Sequence, residues 1–393
     1  MDVTVLDSEI QEYISNSIDT DVSKLALQKN PFPQSNWIEI LNQIAAKQKA
    51  KDKLPTWFAT KNIIYPAKIS IEQTSSEKTA AYKANLVFGK NLIDATGGFG
   101  VDDYYFSKTI THVTHCEINT ELSAIVKHNC IQLQVENITC VAGDSLGIIK
   151  NLNQKFEWIY IDPSRRNDAK GKVFMLKDCL PNVPELLDFY FNYASNILIK
   201  TAPILDITAG LLELTNVKEI HVVAVENEVK ELLWVLEKNY DKSVEIKTCN
   251  LFKNKQETFI FKLSEIQSSV VFGLPKKYLY EPNSAIMKSG GFDVISSKFS
   301  IEKLHSNSHL YTSDVLIDFP GRIFEIEKTI SYQKKEMKSF LENKKANITT
   351  RNFPDSVETI RKKWKIKDGG NVYCFFTTDE NDNKIVLLCS KLK

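Results

Sequence analysis

The sequence contains little of what would place it in several classes of protein. Its 393 residues include only seven cysteines, none of them in a Cys-x-x-Cys pair, and six histidines without the spacing of a metal site. A disulfide-stabilised scaffold is therefore excluded, and no metal-binding motif is indicated. No hydrophobic run is long enough to span a bilayer, and the acidic N-terminal segment lacks the apolar core of a signal peptide. We expect a cytoplasmic protein with neither a metal nor a membrane partner.

The net charge of the whole chain is close to zero, but one segment is strongly basic. The formal net charge is +1, and 43% hydrophobic and 25% charged residues are typical of globular proteins. Residues 328–367, however, contain twelve Lys and Arg against four Asp and Glu, so the rest of the chain is net negative. Such a segment indicates contact with a polyanion, and nucleic acid is favoured over a merely solvated helix.

The hydrophobic pattern changes twice along the chain. Apolar residues recur at helical spacing in the first 85 residues, as in 35–54, where Pro55 ends the pattern. From Lys90 to about residue 264, strand-sized and helical segments alternate, which predicts a doubly wound α/β sheet with helices on both faces. Two further strands around a turn-rich DENDN loop predict a closing hairpin. In such sheets, ligands bind beyond the carboxyl ends of the strands.

The strongest local motif is the strand–turn–helix segment IDATGGFGVDD at 93–103. Its glycines allow a tight turn and close approach of a ligand, but a dinucleotide fingerprint would need a third glycine where Asp103 stands. Carboxylates at the strand end (Asp94) and at the helix start (Asp102 or Asp103) favour a cationic ligand. S-adenosylmethionine, which carries an ammonium and a sulfonium, suits these charges better than a nicotinamide dinucleotide.

Three further strands each end in an acidic residue. Glu117 follows the glycines by about twenty residues, a position from which a carboxylate can bind ribose hydroxyls. Asp144, in VAGDSL, is a candidate acceptor for an adenine amino group. Asp162 and Pro163, in YIDPSRR, predict a rigid turn at the mouth of the site. Carboxylates at four strand ends indicate a nucleoside ligand more strongly than any one of them does alone.

Together, the motifs DATGGFG, CEIN, GDS and DPSRR resemble those of class I S-adenosylmethionine-dependent methyltransferases. Three flanking motifs, IEQTSSEKTAAYKA, YLYEPNSAIMKSGG and RNFPDSVETIRKKWKIKDGGNVYCF, resemble bacterial methyltransferases with a C-terminal THUMP-like domain. The resemblance covers roughly residues 55–393. It implies a Rossmann-like methyltransferase sheet with an N-terminal helical region and small α+β C-terminal domains. The expected divisions are a helical region at 1–85, the methyltransferase domain at 86–265, a ferredoxin-like linker domain at 266–320 and a basic THUMP-like domain at 321–393.

The resemblance also implies roles for individual residues. The methionine end of S-adenosylmethionine would lie at the glycine turn, its ribose at Glu117 and its adenine at Asp144. In similar enzymes, the segment before the first strand lines the cofactor pocket. The implied cofactor-binding residues are Asp94, Thr96, Gly97, Gly98, Gly100, Glu117, Ile118, Asp144, Ser145, Gln73 and Ser76.

The loop after the fourth strand would face the methyl acceptor. In similar enzymes that methylate exocyclic nitrogens, this loop reads Asn/Asp/Ser-Pro-Pro-aromatic, whereas here Ser164 replaces the second proline and Arg165 replaces the aromatic residue. An arginine can still stack on a base or pair with a phosphate. The implied catalytic residues are Asp162, Pro163, Ser164 and Arg165. The implied RNA-binding residues are Arg166, Lys200, Arg351, Arg361, Lys362, Lys363 and Trp364.

The sequence therefore predicts methylation of a base in tRNA or rRNA, by in-line transfer to a base that is flipped out or lies in a loop. Two alternatives stay open: a methyltransferase of a small molecule or protein, and a module that binds S-adenosylmethionine and RNA without catalysis. A dehydrogenase is disfavoured because the dinucleotide fingerprint is incomplete. A mechanism with Cys179 as the nucleophile is disfavoured because its sequence context, LKDCLPN, offers no activating group. The sequence does not indicate an oligomeric state.

Overall fold

The computed structural model describes residues 3–165, 175–266 and 269–393. Two compact units divide the chain: the first comprises residues 1–218 and 231–241, and the second comprises residues 219–230 and 242–393. Short 3-10 helices occur at Val3–Leu6, Leu176–Asp178 and Leu263–Glu265. The α-helices are α1 (Ser8–Asn16), α2 (Val22–Ala26), α3 (Trp37–Lys53), α4 (Pro55–Ala59), α5 (Lys68–Gln73), α6 (Glu77–Ala84), α7 (Val101–Phe106), α8 (Thr120–Gln132), α9 (Ser145–Leu152), α10 (Val183–Phe191), α11 (Ile207–Glu213), α12 (Ser284–Ser289), α13 (Phe292–Phe299), α14 (Lys334–Phe340) and α15 (Val357–Trp364).

The strands are numbered separately. They largely alternate with these helices up to residue 225, and the strands from there to residue 262 follow one another without an α-helix. They are β1 (Asn91–Asp94), β2 (His112–Glu117), β3 (Ile138–Ala142), β4 (Phe156–Ile161), β5 (Ser164–Arg165), β6 (Cys179–Leu180), β7 (Ala194–Thr201), β8 (Val217–Val225), β9 (Glu228–Glu237), β10 (Glu245–Leu251), β11 (Gln256–Lys262), β12 (Tyr278–Pro282), β13 (Glu302–Lys303), β14 (Tyr311–Ser313), β15 (Gly321–Ser331), β16 (Asn347–Thr350), β17 (Tyr373–Thr378) and β18 (Lys384–Lys391).

The first unit contains the parallel sheet. Its parallel strands lie in the order β3-β2-β1-β4-β7, and β9 pairs antiparallel with β7. The strand order reverses at β1, because the chain moves outward through β2 and β3 and then returns to β4 on the other side. This switch point brings the carboxyl ends of β1 and β4 together at one edge, where such sheets bind ligands. The expected doubly wound α/β class is confirmed.

The N-terminal helical region shares a hydrophobic core with the glycine turn. Helix α3 begins after its N-cap Asn36, whose side chain accepts hydrogen bonds from the N–H groups of the first turn, and it ends before Pro55. Phe99, in the middle of the glycine turn, is 5% exposed and packs against Trp57 and Tyr65, each with ring centroids 6.3 Å away. The helical region therefore anchors the glycine turn through Phe99, the large apolar side chain of that turn.

The second unit is built mainly from antiparallel sheet. Here β10 pairs parallel with β8 from Glu219 onward and antiparallel with β11. A second sheet of this unit has the strand order β13-β14-β12-β15-β18-β17-β16, and only its edge pair β16–β17 is parallel. The expected hairpin is confirmed as β17–β18, and α14 and α15 pack on this sheet through a core that includes Met337, Ile360 and Trp364.

Candidate active site

A chain of hydrogen bonds joins the carboxyl ends of β1, β4 and β7. Asp94, at the end of β1, is 1% exposed, and its Oδ1 accepts bonds from the backbone N–H (2.8 Å) and the hydroxyl (3.2 Å) of Thr96. The same hydroxyl accepts a bond from the backbone N–H of Asp162 at 2.7 Å, and Asp162 Oδ2 accepts one from Lys200 Nζ at 2.6 Å. Thr96 thus fixes the loop after β4 relative to the loop after β1.

The glycine turn is closed on one side and open on the other. A Cβ atom at Gly97 would lie 2.2 Å from the His115 ring, so only glycine fits there. Gly98 has φ +56° and Gly100 has φ +72°, values that L side chains rarely adopt. A Cβ at Gly98, however, would have only the Thr96 carbonyl oxygen nearby, at 3.7 Å. The backbone at Gly98 is therefore the part of the turn that a ligand can approach.

Glu117 holds this turn from the end of β2. Its Oε2 accepts a hydrogen bond from the Gly98 N–H at 2.9 Å, and its Oε1 accepts one from the Asn119 N–H at 2.7 Å. A carboxylate has about four acceptor positions, so both oxygens keep capacity for further donors. Glu117 is consequently fixed in orientation and still able to bind hydroxyl groups, while the adjacent Ile118 side chain is 75% exposed.

The loop after β3 lies beside Glu117. The Gly143 N–H donates to the Glu117 carbonyl oxygen at 2.9 Å, which places the start of α9 next to the end of β2. Asp144 is exposed and caps α9, its Oδ2 accepting a bond from the Gly147 N–H at 3.0 Å. Ser145, the first residue of α9, is partly exposed. The structure therefore brings the predicted residues at the ends of β1, β2, β3 and β4 to one edge of the sheet.

A pair of buried carboxylates lies below the glycine turn. Asp103 is fully buried and contacts His115 Nδ1 through Oδ2 at 2.7 Å, so it faces the interior of the protein. Burial raises the pKa of Asp94 well above its usual value, and the nearby Asp103 charge raises it further, against the opposing effects of His115 and the Thr96 N–H. Burial likewise raises the pKa of Asp103, with Asp102 as the next cause. This region therefore favours positive charge.

Asp102, the neighbour of Asp103, belongs to a cluster that sequence reasoning missed. Lys83, in α6, is fully buried and donates to Glu231 Oε2 at 2.8 Å and to Ser75 Oγ at 3.0 Å. Asp102 Oδ2 accepts bonds from the hydroxyls of Ser75 (2.9 Å) and Tyr160 (2.8 Å), and its Oδ1 lies 3.2 Å from Lys83 Nζ. The cluster thus connects α6, α7, β4 and β9.

Lys200 is electrostatically coupled to the same cluster. Burial alone would lower the pKa of Lys200, but the negative charges of Asp162 and Glu231 outweigh burial and raise it. Burial raises the pKa of Glu231, and the charges of Lys83 and Lys200 oppose that effect. The ammonium of Lys200 is therefore retained beside Asp162.

The remaining predicted residues of the first unit have varied positions. Ser76 is the N-cap of α6, since its Oγ accepts a bond from the Thr79 N–H at 3.2 Å, and Gln73 is exposed at the end of α5. Pro163 is buried and Ser164 is exposed. The backbone of Arg165 pairs with Cys179 in the short β5–β6 ribbon. Arg166 lies outside the described residues.

The predicted RNA-binding residues of the second unit include both exposed and engaged side chains. Lys362 is exposed, and Lys363 is exposed with its Nζ donating to the Tyr332 hydroxyl at 3.2 Å. Arg361 donates to Asp368, and Arg351 donates to Glu281 at 2.8 Å. Trp364 is 6% exposed in the domain core, so its ring is not presented at the surface for stacking on a base.

The described residues contain neither a metal-binding cluster nor a membrane-spanning helix. Within those ranges, no group of three or more His, Cys, Asp or Glu side chains is arranged to hold a metal ion. None of the helices there combines the length and the apolar composition that crossing a membrane requires.

Comparison with known proteins shows a relative that spans the whole chain. Residues 278–320 match a ferredoxin-like domain family, and residues 321–391 match a THUMP domain-like family. The crystal structure of a candidate methyltransferase from Porphyromonas gingivalis W83 is 30% identical, covers 100% of both chains and superposes with a TM-score of 0.89. A search of curated proteins found no match.

Other solved structures match only part of the chain. An rRNA methylase from Streptococcus thermophilus is 13% identical over 41% of this chain and 95% of its own, with a TM-score of 0.30. A candidate methyltransferase from Streptococcus mutans in complex with SAH is 13% identical over 41% of this chain and 96% of its own, with a TM-score of 0.31. At such scores, neither match supports a conclusion about this chain.

Proposed function

The chain belongs to the same family as the candidate methyltransferase of Porphyromonas gingivalis, and from that premise we propose that it transfers a methyl group from S-adenosylmethionine to a base of structured RNA, tRNA or rRNA. The observation that carries the proposal is the hydrogen-bonded array at the strand ends, in which Thr96 joins Asp94 to Asp162 and Glu117 holds Gly98. Dinucleotide chemistry is less well supported, because carboxylates lie beside the turn that would have to receive a pyrophosphate.

The residues present fit S-adenosylmethionine. The open backbone at Gly98 permits close approach, and the anchored Glu117 carboxylate can accept bonds from a ribose diol. The buried negative charge around Asp94 and Asp103 would be offset by a cationic group. Because Asp94 is nearly inaccessible, it would act on the ligand through its charge and through Thr96. Asp144 and Ser145 would lie toward the adenine.

The chain's own residues would position the acceptor. S-adenosylmethionine supplies an electrophilic methyl group when it is bound. Asp162 Oδ2 is occupied by Lys200, whereas Oδ1 has no partner among the described residues and would orient the acceptor nitrogen or take its proton. Lys200, held as an ammonium by Asp162 and Glu231, would keep that carboxylate in place. The rigid Pro163 and the neighbouring Ser164 and Arg165 would shape the entrance for the base.

Features of the second unit support RNA as the methyl acceptor. Its THUMP-like residues 321–391 include the whole basic segment 328–367, in which Lys362 and Lys363 are exposed. Exposed lysines bind phosphates largely without reading sequence, so selection of the methylated base would rest on the first unit.

The test is methyl transfer from radiolabelled S-adenosylmethionine by the full-length protein. Pooled tRNA, rRNA, DNA and protein from cells lacking the gene are offered as acceptors. We expect label in one RNA pool, and a loss of at least about 100-fold in rate for Asp162→Asn, which preserves shape but removes the acceptor charge. Asp188→Asn, at an exposed position of α10, is the matched control.

Each alternative has its own result. Label in the protein pool, or transfer only to a small molecule, would replace RNA as the acceptor. Binding of S-adenosylmethionine by calorimetry without transfer to any pool would indicate a non-catalytic binding module or a small-molecule acceptor. Equal rates for Asp162→Asn and the parent, at equal melting temperatures, would remove Asp162 from the mechanism.

A further inference from the structure

A cavity of about 450 Å³ lies entirely within the second unit, between β10, β11, α12, β15 and β18. Its basic lining residues are Lys255, Arg322, Arg351, Lys391 and Lys393. Two of the lining residues, Glu257 and Glu281, are acidic. With five cationic side chains against two carboxylates, the cavity carries an excess of positive charge.

The two carboxylates hold the cations in place without neutralising them. Glu281 is 3% exposed, and it receives hydrogen bonds from Arg351 on one oxygen and from Arg322 on the other. Glu257 is 9% exposed and lies 3.3 Å from both Lys255 Nζ and Lys393 Nζ. Each buried carboxylate therefore contacts two cations. Lys393 Nζ also lies 3.3 Å from the exposed Asp318, so the clearer excess of positive charge is at Arg322 and Arg351.

Independent of charge, three side chains that line the cavity have polar atoms without a hydrogen-bond partner among the described residues. Asn250 is fully buried, and its Oδ1 accepts a bond from the Asn227 N–H at 2.9 Å, which fixes the orientation of the amide. The amide's Nδ2 has no hydrogen-bond partner among the described residues, and the same holds for Arg351 Nε and Ser284 Oγ. A buried donor without an acceptor is costly, so these three groups indicate a ligand rich in acceptor atoms.

The volume of the cavity and its apolar wall indicate which class of ligand it can hold. A cavity of this volume is larger than a simple inorganic anion needs and lies within the range of small-molecule sites. Phe252 and Met287 line it as well and offer an apolar surface beside the cations. A phosphate group matches the arginines, the lysines and the unpartnered donors, and a planar base matches the apolar wall.

We propose that this cavity binds a nucleotide carrying a terminal phosphate, through Arg351, Lys391 and the Asn250 amide, with the base against Phe252. The nucleotide can be free or can form the end of an RNA strand, and both present the same chemistry. This site is additional to methyl transfer and does not require it, because every lining residue belongs to the second unit.

Binding to the full-length protein tests the proposal without S-adenosylmethionine. Adenosine 5′-monophosphate, adenosine and inorganic phosphate are titrated by calorimetry, and one RNA oligonucleotide is compared with a 5′-phosphate and with a 5′-hydroxyl. Tighter binding of the monophosphate than of adenosine supports a free nucleotide as ligand. A preference for the phosphorylated RNA without monophosphate binding supports an RNA end. No difference that depends on the phosphate in either comparison overturns the proposal, whatever the outcome for methyl transfer.

The most informative variant is Asn250→Asp. Aspartate keeps the Oδ1 that accepts from Asn227 but replaces the free donor by a charged acceptor, so we expect affinity for the phosphorylated probe to fall about 10- to 100-fold. Lys391→Gln should lower it about threefold. Lys334→Gln, at an exposed lysine outside the cavity, is the matched control.

Two results would contradict the assigned residues. If Asn250→Asp melts at the parent temperature and binds equally well, the amide is not part of a site. If Asn250→Asp unfolds, the comparison of Lys391→Gln with Lys334→Gln decides. An equal loss of affinity for the phosphorylated probe in both variants indicates general attraction of anions and overturns the proposal.

Discussion

One lysine site in each unit shows this side chain used in opposite ways. In the first unit, Lys83 has no exposed surface and is surrounded by Asp102, Glu231 and Ser75. In the basic segment of the second unit, Lys362 and Lys363 are exposed. The same side chain therefore serves once as an internal structural charge and once as a surface charge.

This difference determines what each lysine can contribute. A buried ammonium is tolerated only where carboxylates and hydrogen bonds replace its hydration, so its geometry is fixed and its loss leaves charges stranded. An exposed ammonium keeps its water, contributes little to stability and acts at a distance that salt shortens. The first unit is accordingly suited to positioning reacting groups, and the second to attracting a polyanion.

The largest expected effect comes from removing the buried charge. Lys83→Met keeps the length of the side chain but leaves Asp102 and Glu231 buried without their cation, so the free energy of unfolding should fall by about 3–5 kcal/mol. Chemical denaturation measures this change. The double variant Lys83→Met/Glu231→Gln should recover part of the loss, because one of the two stranded charges is then absent.

Lys78→Met is the matched control, at an exposed position of the same helix. It should change the unfolding free energy by less than about 0.5 kcal/mol. A loss below about 1 kcal/mol for Lys83→Met would show that the cluster tolerates an unbalanced charge, and the contrast between the units would then fail.

An intermediate effect is expected at Asp94, where the buried charge lacks a full counter-charge. Its folded-state pKa is raised by burial, Asp103 and Asp102, so the folded protein holds this proton more strongly than the unfolded chain does. Stability contributed by protonated Asp94 is present at low pH and is lost as the pH rises from about 4 through the folded-state pKa.

Asp94→Asn removes this pH-dependent loss and keeps an Oδ1 acceptor for Thr96. Its unfolding free energy should be close to that of the parent near pH 4 and higher on the order of 1 kcal/mol or more near pH 8. Denaturation of both proteins across that range measures the difference. Parallel pH profiles would contradict the assignment of the raised pKa to Asp94.

The smallest effect on stability is expected for the exposed lysines. Lys362→Gln and Lys363→Gln should each change the unfolding free energy by less than about 0.5 kcal/mol. Each should make the negative slope of log affinity for pooled tRNA against log salt less steep by up to about 1, since each removes at most one phosphate contact. Filter binding at several salt concentrations measures the slope, with Lys24→Gln as control. An unchanged slope would argue against RNA contact through α15.

Local sequence pattern was enough to predict the sheet and the order of its acidic strand ends, because these depend on short-range periodicity. It did not assign 228–237, where Glu231 precedes the apolar run LLWVL, and the structure forms β9 there. Apolar runs of that length do not distinguish strand from helix. The Lys83–Glu231 contact joins residues 148 apart in sequence, so no local pattern could indicate it.

Two residues show how tertiary packing changes a role inferred from residue type. The resemblance implies an RNA-binding role for Trp364, yet its four-residue spacing from the buried Ile360 places it on the inner face of α15. Asp103 was considered for a cationic ligand at the start of α7, but it faces His115 inside the fold. In both cases the helical face, rather than the neighbouring charges, decides the environment.

The first unit is not continuous in the chain, since residues 231–241 belong to it after residues 219–230 have entered the second unit. During synthesis, Lys83 is therefore made long before Glu231. Until β9 emerges from the ribosome, Asp102 and Ser75 are the partners available to Lys83 in the cluster. A protein truncated after residue 226 would keep α6 and the glycine turn but lack a carboxylate partner of Lys83. Folding of the candidate active site is thereby tied to translation of a segment well beyond the residues that form it.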